Sequence, residues 1–149
     1  MGQSLSQIYV HLIFGTKGRF PFIKGDVAAS LHGYLSGIFK NMDSPAIKIN
    51  AVPDHVHILF HLSKNHALAK VVEEVKKSSS KWMKEKGVKG FSWQIGYAAF
   101  SVSSSKVEVV SDYIINQQAH HRKKSFQEEI EEFSKEYRII EYNPKYFWE

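Results

Sequence analysis

The strongest constraint on the fold lies mid-chain, where two strand-forming runs, 46–52 and 55–62, are separated only by Pro53-Asp54. Proline fixes φ and aspartate accepts backbone hydrogen bonds, so this dipeptide starts a turn and the two runs read as an antiparallel hairpin. Upstream, Ile8, Val10, Leu12 and Phe14 alternate with Gln7, Tyr9, His11 and Ile13, the period-two pattern of a strand with one better-buried face. Between this strand and the hairpin, Asp26 is placed to cap a helix whose Val27, Leu31, Leu35, Ile38 and Phe39 form one apolar stripe, with Gly25 and Pro45 outside it.

Downstream of the hairpin, a longer helix is expected over about 66–86, with Leu68, Val71, Val72, Val75 and Trp82 on one side and Gly87 beyond its end. An aromatic-rich fourth strand is expected over 91–102. Ser105 and Glu108 have the spacing of a capping box, so a helix should start there and turn Val107, Val110 and Ile114 inward. A short amphipathic stretch over 126–133 precedes a tail whose Tyr142, Tyr146, Phe147 and Trp148 are too many aromatics to leave in water, so the tail should dock on its own domain or on a partner. The order β-α-β-β-α-β-α, with a C-terminal helix and tail, places the chain in the α+β class. The expected architecture is a ferredoxin-like or RRM-like antiparallel four-stranded sheet covered by helices.

A chain of 149 residues, 43% hydrophobic and 23% charged, fits one domain spanning residues 1–149. The absence of cysteine excludes disulfides, thiolate zinc sites and a cysteine nucleophile. Neither a signal-like N-terminus nor a run approaching the roughly 20 apolar residues of a membrane helix is present, so the expectation is a cytoplasmic protein with no membrane partner. The charge is uneven. Residues 1–124 carry 17 Lys and Arg against 8 Asp and Glu, whereas 125–149 carry 3 against 7. A body with net charge +9 suits a polyanion such as nucleic acid, although basic surfaces also occur on proteins that bind none.

In His55-Val56-His57 the imidazoles lie at i and i+2 of a strand, so both face one side and can share a metal ion; the plain alternative is two partly exposed histidines. Tyr113 and Gln117, at i and i+4, share one helix face near His120, where a tyrosine can equally be packing its ring inward. Together these pieces complete a site, with a tyrosine nucleophile, a neutral Gln ligand one turn later and two histidines on a strand. Phosphodiester transfer needs charge stabilisation on the phosphate, which a divalent ion supplies. Neither a Walker-A sequence nor a Rossmann glycine fingerprint is present. Lys70, Lys77, Lys81 and Lys84 share one narrow helix face that can track phosphates or simply meet solvent, with Glu73 and Glu74 flanking it. The run His120-His121-Arg122-Lys123-Lys124 makes a second basic patch.

At Pro53-Asp54-His55-Val56-His57 and Tyr113-Ile114-Ile115-Asn116-Gln117 the chain resembles the single-tyrosine HUH transposases of the insertion-sequence-200-like family. The likeness extends to His11-Leu12-Ile13-Phe14 with Thr16-Lys17, to 76–82, to Trp93-Gln94 with Gly96-Tyr97, and to 120–126. It implies that His55, His57 and Gln117 hold Mg²⁺ or Mn²⁺, and that Tyr113 forms a 5′-phosphotyrosine link with release of a 3′-OH. It further implies single-stranded DNA with hairpin ends as substrate, and a homodimer in which the helix bearing Tyr113 meets the histidine pair of the other subunit. Lys77, Lys81, Lys84, Arg122 and Lys123 are the candidate DNA contacts. Two other readings stand beside this one. A ferredoxin-like sheet with exposed aromatics and lysines can bind single strands without cutting them, and a metallohydrolase can attack with metal-bound water, leaving Tyr113 dispensable.

Overall fold

The computed structural model describes residues 2–149, the side chains of 120–122 excepted. Strands β1 (Tyr9–Gly15), β2 (Ala46–Val52), β3 (His55–His61) and β4 (Ala98–Val102) form an antiparallel sheet in the order β2-β3-β1-β4. The hairpin turns at Pro53-Asp54 as the sequence requires, with Val52 opposite His55. Helices α1 (Gly25–Asn41) and α2 (Leu68–Glu85) each connect strands that are not neighbours. The sheet is therefore the expected α+β, ferredoxin-like one.

The pleat sorts the strand residues onto two faces. Val10, Leu12 and Phe14 of β1 and Val56, Ile58 and Phe60 of β3 form the main core with Leu31, Leu35 and Phe39 of α1 and Val71 and Val75 of α2. The other face, which carries His11 and Ile13 of β1 and His55, His57 and Leu59 of β3, is roofed by α3 (Val107–Ile115) and α5 (Phe126–Glu136). α4 (Gln117–Lys123) links these two helices, and α6 (Pro144–Phe147) lies near the C-terminus. β1 is thus buried on both faces, not mainly on one, because the amphipathic α5 supplies a second layer.

Four local expectations are corrected. The fourth strand does not begin at residue 91. Phe91 and Trp93 instead drop into the main core, where Trp93 packs edge-on against Phe14 and donates to Ser79 Oγ at 2.9 Å, and regular pairing starts only at Ala98. Ser105 does not form a capping box. Residues 104–106 make a 3-10 turn and α3 starts at Val107 with no side-chain cap, whereas Ser125 and Glu128 form a complete capping box at the start of α5. Gly25 lies inside α1, whose N-cap is Lys24, so Asp26 sits in the first turn rather than at the cap. Finally, α3 ends at Ile115 and α4 begins at Gln117, so Tyr113 and Gln117 straddle a break at Asn116.

The tail docks on its own chain. Gln94 donates from Nε2 to the Phe147 carbonyl at 2.8 Å and accepts from the Gly15 N–H at 2.7 Å, and the Ile95 N–H donates to the Glu149 carbonyl. Phe147 and Trp148 pack under α5 with Phe126 and Ile130. Among the described residues, no helix is long and apolar enough to cross a membrane.

Candidate active site

His55 and His57 are carried on β3, which lies between β2 and β1, and both are buried, at 1% and 0% exposure. This rules out the partly exposed pair that sequence alone left open. Each ring is held at Nδ1 by a separate partner. His55 Nδ1 lies 2.7 Å from Asp54 Oδ1, and the ring stacks flat on Phe126 at 4.0 Å. His57 Nδ1 lies 2.9 Å from Nε2 of His11 on β1. Both Nε2 atoms then point to one place, the Glu129 Oε1 atom, at 3.4 Å from His55 and 2.7 Å from His57.

Glu129 comes from α5. Phe126, Glu129, Ile130 and Phe133 recur at i, i+3, i+4 and i+7, so the carboxylate sits on the apolar stripe and is pressed into the roof of the site. Its second oxygen, Oε2, accepts a hydrogen bond of 2.5 Å from the Tyr113 hydroxyl. Burial alone would raise the Glu129 carboxyl pKa, but the approach of His55 at 3.4 Å and the hydrogen bonds from His57 and Tyr113 outweigh it and hold the group far below the usual carboxylate range. Burial, and then the Glu129 charge, push the Tyr113 phenol well above its ordinary value, while the Gln117 amide works in the opposite direction. Burial lowers the His55 pKa, yet its bonds to Asp54 and Glu129 and their charges reverse the sign and raise it. His11, buried and facing His57, is held well below its ordinary value and stays neutral.

The donor set suits a divalent cation. One ligand atom each from His55, His57 and Glu129 falls within a 4.8 Å span, and imidazole with carboxylate is a normal ligand combination for divalent metals. Gln117 is fully buried, and neither atom of its amide makes a hydrogen bond of good geometry with a described residue, although it lies close enough to stabilise a Tyr113 phenolate. Buried amides are normally satisfied, so this one fits a site that takes a further ligand. The carboxylate amends the sequence reading, in which all the donors were neutral.

Three of the candidate DNA contacts lie away from this site. Lys77, Lys81 and Lys84 are exposed on α2, whose apolar side covers the opposite face of the sheet from the histidines. Lys123 is exposed at the end of α4; the side chains of Arg122 and His120 lie outside the described residues. Lys124 pairs with Glu132 at 2.6 Å. A cleft of about 100 Å³ reaches Tyr113 between Lys124, Glu132, Phe133 and Glu136.

Sequence reasoning missed Glu129 and gave His11 no role. The signal for Glu129 was present as an acidic residue at an apolar-stripe position, hidden in a segment whose other acids face solvent. Strand alternation could not single out His11, because its partner depends on which residue of β3 lies diagonally across from it.

A buried His-x-His pair and a carboxylate, shared with a helix-borne tyrosine hydroxyl on an antiparallel sheet, define the chain as a metal-dependent tyrosine enzyme. Residues 4–117 match the family described as "Transposase IS200 like". The ISDra2 transposase TnpA of Deinococcus radiodurans is 30% identical over 118 residues, covering 74% of this chain and 84% of that protein. A crystal structure from D. radiodurans R1 assigned as a transposase superposes with a TM-score of 0.64 at 25% identity, covering 78% of this chain and 96% of the other. A REP-associated tyrosine transposase bound to a REP hairpin shares the fold, with a TM-score of 0.58 at 13% identity, covering 81% and 74% of the two chains. The chain belongs to the IS200-like family of transposases.

Proposed function

We propose that this transposase cuts and rejoins single-stranded DNA by transesterification, with Tyr113 as the nucleophile. One observation carries the reading: a single carboxylate, Glu129, touches both histidines through Oε1 and the Tyr113 hydroxyl through Oε2. As the Tyr113 oxygen bonds to phosphorus, the bond from phosphorus to the 3′ oxygen breaks. This leaves a 5′-phosphotyrosine and a free 3′-OH. The phenol, high in pKa, loses its proton as it reacts while the departing 3′ oxygen takes one up, and Glu129 Oε2, which accepts the phenol's hydrogen bond, orients that proton. In the return step a 3′-OH attacks the phosphotyrosine, a phosphodiester re-forms and Tyr113 regains its proton. The covalent link conserves the bond energy, so rejoining requires no nucleotide hydrolysis.

His55, His57 and Glu129, with Gln117 as a fourth donor, are the residues that would hold Mg²⁺ or Mn²⁺. The ion would supply Lewis-acid polarisation of the phosphate. Asp54 and Phe126 orient His55 within this set. Hairpins at the ends of a mobile element are the proposed substrate, a reading supported by the hairpin bound to the REP-associated relative. Lys123 and Arg122, on the helix next to Tyr113, would contact the strand being cut, while Lys77, Lys81 and Lys84 would engage phosphates further along on the far side of the sheet. Residues 1–149 are proposed to act as one cytoplasmic transposase domain without a membrane partner.

The working assembly is proposed to be a homodimer that shares its active sites. Within one chain α3 already brings Tyr113 to the histidines, so sharing would require α3 to be exchanged between subunits, each making in its partner the contacts seen here. The chemistry is tested by incubating the protein with a 5′- or 3′-labelled hairpin oligonucleotide and Mn²⁺. An adduct that survives denaturing gels should carry only the DNA 3′ of the cut, and Tyr113→Phe should abolish it. An undiminished adduct with Tyr113→Phe would refute the assignment.

A further inference from the structure

β1 and β3 pair antiparallel with His11 opposite Leu59, which makes His57 the diagonal neighbour of His11 on the same sheet face. His11 is 1% exposed, with Phe133 edge-on at 5.6 Å and Tyr113 edge-on at 6.3 Å. A polar ring at such a position costs stability unless it is hydrogen-bonded, and its bond is to His57 Nδ1 at 2.9 Å. We infer that His11 is a positioning residue that fixes the tautomer and orientation of His57, so that Nε2 is presented to the metal. The inference rests on the reading of His57 as a metal ligand.

The polarity of the pair follows from proton counting. A neutral imidazole has one N–H and one bare nitrogen. When His57 Nε2 gives its lone pair to a cation, the His57 proton must sit on Nδ1, and that N–H requires an acceptor at the position of His11 Nε2. When His57 Nε2–H instead donates to Glu129 Oε1, Nδ1 is bare and requires a donor at the same position. An imidazole can serve as either, according to which of its own nitrogens carries the proton. A side chain that only donates, or that does neither, supports at most one of the two arrangements. His55 has a different solution, since Asp54 accepts only, which suits a ring whose Nδ1 always carries the proton.

Mn²⁺ binding to the chain of residues 1–149, followed by titration calorimetry with the metal alone, separates the possibilities. His11→Phe keeps the aromatic packing against Phe133 but offers His57 nothing, and is expected to weaken Mn²⁺ binding about 10- to 100-fold, the usual effect of losing an outer-shell partner. His11→Gln, whose amide both donates and accepts, is expected to bind within a few-fold of wild type. In ¹⁵N spectra of the Mg²⁺-loaded protein, the His57 ring should carry its proton on Nδ1 in wild type and His11→Gln. Equal affinity of His11→Phe and wild type overturns the inference, as does His11→Gln falling as far as His11→Phe. If wild type itself binds no Mn²⁺, the fault lies with the metal-site reading rather than with His11.

Discussion

Glu129 accepts hydrogen bonds from a tyrosine and a histidine at once, and its charge sets the state of the groups around it. Burial comes first among the causes that raise the Tyr113 pKa, with the Glu129 charge next, because a phenolate beside a carboxylate is a like-charge pair. Removing that charge must therefore lower the Tyr113 pKa. In protein stripped of metal, the ultraviolet phenolate titration assigned to Tyr113, by difference from Tyr113→Phe, should move to lower pH in Glu129→Gln; an unchanged or higher midpoint would contradict this coupling. The same residue ties stability to acid. The folded pKa of Glu129 lies below its ordinary value, so its contribution is present above about 4.5 and is lost as the pH falls through the depressed folded value. Between about pH 6 and about pH 3, urea midpoints of wild type should therefore fall more than those of Glu129→Gln.

At the scale of elements, α5 is held against β1 by a very close approach. A Cβ placed on Gly15 would collide with the Phe126 ring and come within 3.0 Å of the Asp54 carbonyl oxygen. Gly15→Ala should push Phe126 off its stack with His55, costing about 1–3 kcal/mol in chemical denaturation and weakening metal binding as well. Lys76 holds the loop before β4, with Nζ donating to the carbonyls of Gln94, Ile95 and Gly96 at 2.6, 2.9 and 3.1 Å. Burial lowers its pKa to about 8, but three carbonyl acceptors match the three N–H groups of the ammonium and favour the charged form. Lys76→Met, which leaves those carbonyls without their donor, should destabilise the chain by about 1–3 kcal/mol in urea. The hairpin, α1 and α2 were legible in the sequence because each is a local pattern, a turn dipeptide or a stripe of period 3.6. The start of β4 was not, because Phe91 and Trp93 suit a strand and a core loop equally well, and contacts with Phe14 and Ser79 decide between them. His55 and His57 were legible through strand alternation, whereas Glu129 lies 72 residues from His57 and meets it only through tertiary packing.

For the whole molecule, the sheet divides its tasks between two faces. One carries the main core under α1 and α2, and the other carries the histidines, the carboxylate and the tyrosine under α3 and α5. Sharing of sites between subunits can be examined by mixing Tyr113→Phe with His57→Ala protein under conditions that allow exchange. Adduct recovered in the mixture, when neither variant forms it alone, is expected for shared sites; a mixture as inactive as its components would place each site within one chain. Whichever arrangement holds, the chemistry rests on which of the 7 tyrosines takes up the DNA. Proteolysis of the Mn²⁺-dependent adduct, followed by peptide mass spectrometry, should find a nucleotide 5′-phosphate on the peptide containing Tyr113 and on no other, whereas a nucleotide on a different tyrosine, or cleaved DNA with no linked peptide, would contradict the mechanism.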